Sequence, residues 1–124
     1  MQDAPTAEEL LDAVRVFIDE NAASELTGHA AFHARVAANA LSIVERELDL
    51  GPRSHAEEHE RLIKLLGHDG DLVELNTELA QKIRTGEMTL DTKGLRDHLW
   101  QTTLDKVAID QPKYSGYRAA LARR

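Results

Sequence analysis

Cysteine is absent from the chain. Disulfides, thiolate metal sites and a thiol nucleophile are therefore excluded. A chain of 124 residues needs no covalent staple, so the absence fits a reducing compartment, and a cytoplasmic location is the default expectation. Aromatic residues are scarce at 4%, which leaves a core to be built from Leu, Ile, Val and Ala. That bias favours helix-on-helix packing over sheet formation. No apolar run approaches the ~20 residues that span a bilayer. The stretch from Met1 to Glu9 has neither the basic start nor the apolar run of a signal peptide. Positive charge is also in short supply, with 15 Lys and Arg against 22 Asp and Glu, a net −7. Nucleic-acid binders carry a basic stripe that displaces counterions from phosphate. The cationic cluster Arg118, Arg123 and Arg124 reads instead as the dipole-complementing end of a short helix. Nucleic acid and membrane are disfavoured as partners.

What the chain does contain is helical period. Hydrophobic residues make up 42%, enough for a core. Five segments carry apolar residues at helix spacing, divided by start and stop signals. The first begins at Thr6, with Glu9 at capping-box distance, and presents Leu10, Leu11, Val14, Phe17 and Ile18 on one face. The second, about His29 to Leu50, is the most apolar. Its wide arc of Phe32, Val36, Ala37, Ala40, Leu41, Ile43, Val44 and Leu48 predicts a central helix, ended by Gly51 and Pro52. The third is capped by Ser54 and stopped by Gly67; the fourth is capped by Asp71 and closed by Gly86. The fifth runs from near Asp91 to Asp110, and Pro112 forbids its continuation. Residues Tyr114 to Leu121 form a short tail of one or two further turns. With short connections and no alternating strand pattern, the expectation is an all-α fold: a compact bundle of about five helices in a single domain, residues 1–124.

Few constellations suggest chemistry. His55-Ala56-Glu57-Glu58-His59 matches the inverted zinc-protease pattern H-x-x-E-H, and His29 and His33 also stand one turn apart. Spacing places no third ligand for either pair, and solvated helix surface is the simpler account, so no metal site is expected. His33 falls inside the apolar arc of the second helix, where an imidazole could carry a proton near neutral pH, although a core-edge histidine is the plainer account. Arg35 and Asn39 stand one turn apart on the polar rim of that arc, with Arg46 extending the row. They form a candidate donor set for a carboxylate or phosphate. In the structural alternative Asn39, a poor helix-interior residue, bonds backbone in residues 110–114 and Arg35 pairs with Asp110. There is no glycine-rich phosphate loop, Ser54 and Ser115 lack a placed base, and no catalytic set or cofactor site is expected.

Several stretches resemble a bacterial family of short proteins classed as a domain of unknown function. They are the opening Met1-Gln2-Asp3-Ala4-Pro5-Thr6 with Glu9-Leu10-Leu11, then Phe32-His33-Ala34-Arg35-Val36-Ala37-Ala38-Asn39, and Lys106-Val107-Ala108-Ile109-Asp110-Gln111-Pro112-Lys113-Tyr114. Members of that family are often encoded beside aminoglycoside-phosphotransferase-like kinases and acyl-CoA dehydrogenases. The resemblance implies a setting in acyl-CoA metabolism and a kinase-like or dehydrogenase partner, and supplies no catalytic residue. Two functions follow as expectations: an accessory module that binds a partner protein through an apolar helix face, or a binder of a small anionic ligand through Arg35, Asn39 and His33. A homodimer is expected from the fifth helix. Leu99, Trp100, Leu104 and Val107 on one side are assigned to the core, leaving Leu95 and Ile109 for a second copy.

If His55 and His59 held structural zinc, metal-binding energy would be folding energy. A strong chelator should leave the melting temperature unchanged; a fall of many degrees would establish the metal site.

Overall fold

The structure is a computed structural model that describes residues 3–123. All regular secondary structure among the described residues is helical, as the apolar periodicity predicts. The elements are α1 (Ala7–Val16), a π-helical stretch (Phe17–Ala22), α2 (Ala23–Glu25), α3 (Gly28–Leu66), α4 (Leu72–Arg84), α5 (Leu95–Asp110) and α6 (Ser115–Ala122). The chain divides into two units, one up to Leu50 and one from Gly51 onward, with α3 contributing to both.

In the first unit, α1 opens with the expected reciprocal cap. Thr6 Oγ1 accepts from the Glu9 N–H at 3.1 Å, and the Glu9 carboxylate accepts from the Thr6 N–H at 2.8 Å. On α3, Ala31, Ala38 and Glu45 recur every seven residues and so share a face. Arg15 of α1 reaches that face, its Nε donating to Glu45 at 3.2 Å while its terminal nitrogen binds Asp12 at 2.6 Å. The buried residues of this unit are alanines: Ala23, Ala31 and Ala38. The expected burial of the wide apolar arc is therefore corrected. Phe32 is 59% and Val36 50% exposed, with Val44 and Leu48 also open. Small side chains let helix axes approach closely, and a helix pair covers only a narrow strip of each surface. The larger residues flanking the alanine strip are left outside it.

The second unit holds the large-residue core. Leu62 of α3, Leu75 and Leu79 of α4 and Leu95 at the start of α5 are buried together, with Ile63, Leu65, Leu66, Leu72 and Met88 against them. Leu75 and Leu79 are one turn apart, and Asp71 caps their helix by accepting from the Glu74 N–H at 2.8 Å. The loop before that cap is tied back to α3, since His59 Nε2 donates to the Gly70 carbonyl at 2.9 Å. At Gly94 the chain turns into α5 with φ +87, and a Cβ there would also lie 3.3 Å from Leu65 Cδ2. Both facts select glycine. The predicted tail is the helix α6.

Three expectations about helix ends are corrected. Gly51 and Pro52 do not stop the second helix; Pro52 lies inside the continuous α3, and Ser54 is an interior residue, not a cap. A proline removes one N–H donor and presses on the carbonyl four residues back. Here that residue, Leu48, is exposed, as are Asp49, Pro52 and Arg53, so water can satisfy the open carbonyl. Arg53 and Glu57 add an i,i+4 pair at 2.8 Å just beyond it. The third correction is at α5, which begins at Leu95 rather than Asp91. Thr89 and Thr92 hold the preceding residues in turns, with the Thr89 N–H bonded to Thr92 Oγ1 at 3.0 Å.

An interior proline costs about 3 kcal/mol against alanine in a helix, offset in part by the reduced freedom of the unfolded chain. Pro52→Ala should raise unfolding stability by about 1–3 kcal/mol in urea titrations. A loss of stability would mean that the proline is required by the fold.

Candidate functional site

Arg35 and Asn39 lie one turn apart on α3, both exposed, and line a shallow depression of about 250 Å³ with Arg15, Asp19 and Ser42. Within this unit neither side chain has an ion pair or hydrogen bond among the described residues. Asn39 thus gains no buried bond here to offset its helix propensity. His33 does not line the depression. It is exposed rather than buried in the arc, and its ring stands edge-on to Phe32 with centroids 5.5 Å apart. Asp110 is the exposed last residue of α5, in the second unit. The structure therefore brings Arg35 and Asn39 together and leaves His33 aside. Of the histidines in the protease-like pattern, His55 is exposed and His59 is occupied by the Gly70 carbonyl and Asp69 Oδ1, each within 3.0 Å. Among the described residues no group of three His, Asp or Glu side chains is placed to hold a metal ion.

The second unit contains a polar cluster that sequence patterning missed. His98 on α5 is 2% exposed, the buried polar residue among the described residues. Arg61 of α3 donates from Nε to His98 Nδ1 at 3.3 Å and from a terminal nitrogen to Thr102 Oγ1 at 3.3 Å. The same terminal nitrogen lies 3.7 Å from Asp105 Oδ2, and Asp105 also accepts from Gln101 at 2.8 Å. Leu95, His98, Thr102 and Asp105 follow each other at intervals of three, four and three. They form one stripe of α5, apolar at its start and polar thereafter. The signal was present in that spacing, but an apolar search attends to Leu99 and Trp100, which are exposed. Leu95 belongs to the core instead of facing a second copy, and Leu104 is buried where α6 returns along α5.

The chemistry of the cluster follows from Arg61, which can only donate. His98 Nδ1 must accept, so the neutral ring carries its proton on Nε2. Burial holds the His98 pKa below the ordinary histidine value, the Arg61 charge lowers it further, and Glu58 opposes both. No protein group bonds Nε2, yet no buried side-chain nitrogen or oxygen is left without a partner among the described residues. Nε2 therefore retains an opening to solvent. His98 also lines a cavity of about 470 Å³, together with Arg61, Lys64, Lys93, Gly94 and Asp97. A ring locked in this tautomer has an N–H to donate and no free basic nitrogen, so it suits binding better than general-base catalysis. His68, in contrast, is exposed and donates on both sides, to the Asp69 carbonyl at 3.0 Å and to Glu78 at 2.6 Å, which raises its pKa.

A family model described as a domain of unknown function (DUF6285) matches residues 24–114, which include the whole polar cluster. No curated protein and no solved structure matches the chain.

The lowered pKa of His98 has a definite sign in stability. The unfolded imidazole binds a proton near its ordinary pKa and the folded one only at lower pH, so stability is full above about pH 7 and is lost as pH falls through the folded value. The raised pKa of His68 acts oppositely, its contribution being present at low pH and lost on the alkaline side. Urea unfolding from pH 7.5 to 5 should show a decline that is flattened in His98→Gln. An equally steep decline in that variant would remove His98 as the cause.

Proposed function

We propose that this chain, which belongs to the DUF6285 family of domains of unknown function, is a helical protein-interaction module whose contact surface is the apolar face of its first unit. One observation carries the proposal: that unit buries alanines while Leu10, Val14 and Phe17 of its first helical stretch, and Phe32 and Val36 of α3, remain about half exposed. Leu10, Val14 and Phe17 follow at i, i+4 and i+7, and Phe32 and Val36 at i and i+4, so each helix presents a stripe. Two such helix pairs, laid face to face, complete a four-helix core, and a second copy of the chain is the occupant that needs no other protein. Fully burying a side chain of this size contributes about 1.5–3 kcal/mol, so a few of them suffice for a stable contact.

The resemblance to bacterial proteins encoded near aminoglycoside-phosphotransferase-like kinases and acyl-CoA dehydrogenases supports an accessory role beside those enzymes, in cytoplasmic acyl-CoA metabolism. Among the described residues, no helix is long and apolar enough to cross a membrane. The alternative, an anionic ligand held by Arg35 and Asn39, is supported by their shared depression and weakened by the Asp19 carboxylate within it.

Sedimentation equilibrium at tens of micromolar should give twice the 13.8 kDa chain mass. Phe32→Asp with Val36→Asp should return it to the single-chain mass with helical circular dichroism unchanged. A wild-type chain that stays at 13.8 kDa, alone and mixed with the neighbouring kinase-like and dehydrogenase proteins, would defeat the proposal.

A further inference from the structure

In the second unit, the cavity where α3 meets the start of α5 has the composition of an anion site. Lys64 of α3 and Lys93 of the turn before α5 both line it, both are exposed, and neither has an ion pair among the described residues. Arg61 lines it as well, its charge shared with Asp105 at 3.7 Å. The floor is His98, almost wholly buried, with its Nε2–H lacking a protein acceptor. The N-terminus of α5 adds to these. Gly94 in the cap position has no side chain to accept from the first turn, so the N–H groups of Arg96 and Asp97 have no helical partner. Asp97 is the one carboxylate lining the cavity, against three cations.

We propose that this cavity binds a phosphate-type oxyanion, gripped by Lys64 and Lys93 and oriented by the His98 Nε2–H and the first turn of α5. The donors differ in kind. The lysines supply mobile point charges, Arg61 holds the imidazole so that its proton faces the anion, and the helix start supplies fixed dipoles. A volume of about 470 Å³ exceeds what a free phosphate fills, so the ligand class includes phosphate monoesters whose organic part lies against Leu65. The site uses none of the residues assigned to the apolar contact face of the first unit, so either can fail without the other.

The test compares inorganic phosphate with chloride at equal ionic strength. In ¹⁵N-histidine-labelled protein, titration with phosphate should move the His98 Nε2–H resonance along a saturable curve, with no comparable movement in chloride. Lys64→Ala with Lys93→Ala, both at exposed positions, should weaken the fitted affinity by roughly tenfold or more and leave the melting temperature in chloride unchanged. Phenyl phosphate binding more tightly than phosphate would support the monoester class. An unmoved His98 signal, or an unchanged affinity in the double variant, would overturn the proposal.

Discussion

A guanidinium has five N–H donors and no acceptor, and Arg61 spends them across the gap between α3 and α5. One goes to His98 Nδ1 and another to Thr102, while Asp105 neutralises the charge from farther along the same stripe. Because Arg61 cannot accept, His98 has one neutral tautomer, and because His98 is buried, the ring has one place to lie. The pair links α5 to α3 beside Leu62 and Leu95, so the leucine core and the polar cluster hold the same two helices. Replacing Arg61 would leave Nδ1 of the buried His98 without its donor, which costs more than the bond contributes.

The two units answer the problem of burying a helix face differently. Three helices meet around Leu62, Leu75, Leu79 and Leu95, and three surfaces enclose large aliphatic side chains completely. In the first unit the buried side chains are Ala23, Ala31 and Ala38, which enclose little apolar volume. Salt bridges do not make up the difference, since Arg15 with Asp12 and Glu45 is a partly exposed network of modest worth. A unit that keeps Phe17 and Phe32 half in water is stabilised most by further apolar cover.

Much of the fold was legible because its signals are local. The Thr6–Glu9 box, the Asp71 cap, the leucine stripe of α4 and the terminal helix after Pro112 each depend on residues within a turn or two of each other. Pro52 was misread for the complementary reason. A helix is interrupted there only if the loss of one bond outweighs the continuity on both sides, and the solvent exposure that decides this is not local information. The site was less legible still. Arg35 and Asn39 were found by their spacing on one helix, whereas Arg61 and His98 are 37 residues apart. The stripe of Leu95, His98, Thr102 and Asp105 is visible in the spacing of α5, but the donor that gives it meaning stands on another helix.

Net charge is a sound guide to long-range partners and a poor one to pockets. At −7 the net field of the chain slows the approach of any small anion. Screening limits its reach to about 8 Å at physiological ionic strength. Inside the cavity an anion meets Lys64, Lys93 and Arg61 against Asp97, at separations where the near charges dominate the far ones. The acidic excess of the whole chain therefore does not keep a small oxyanion from one basic recess.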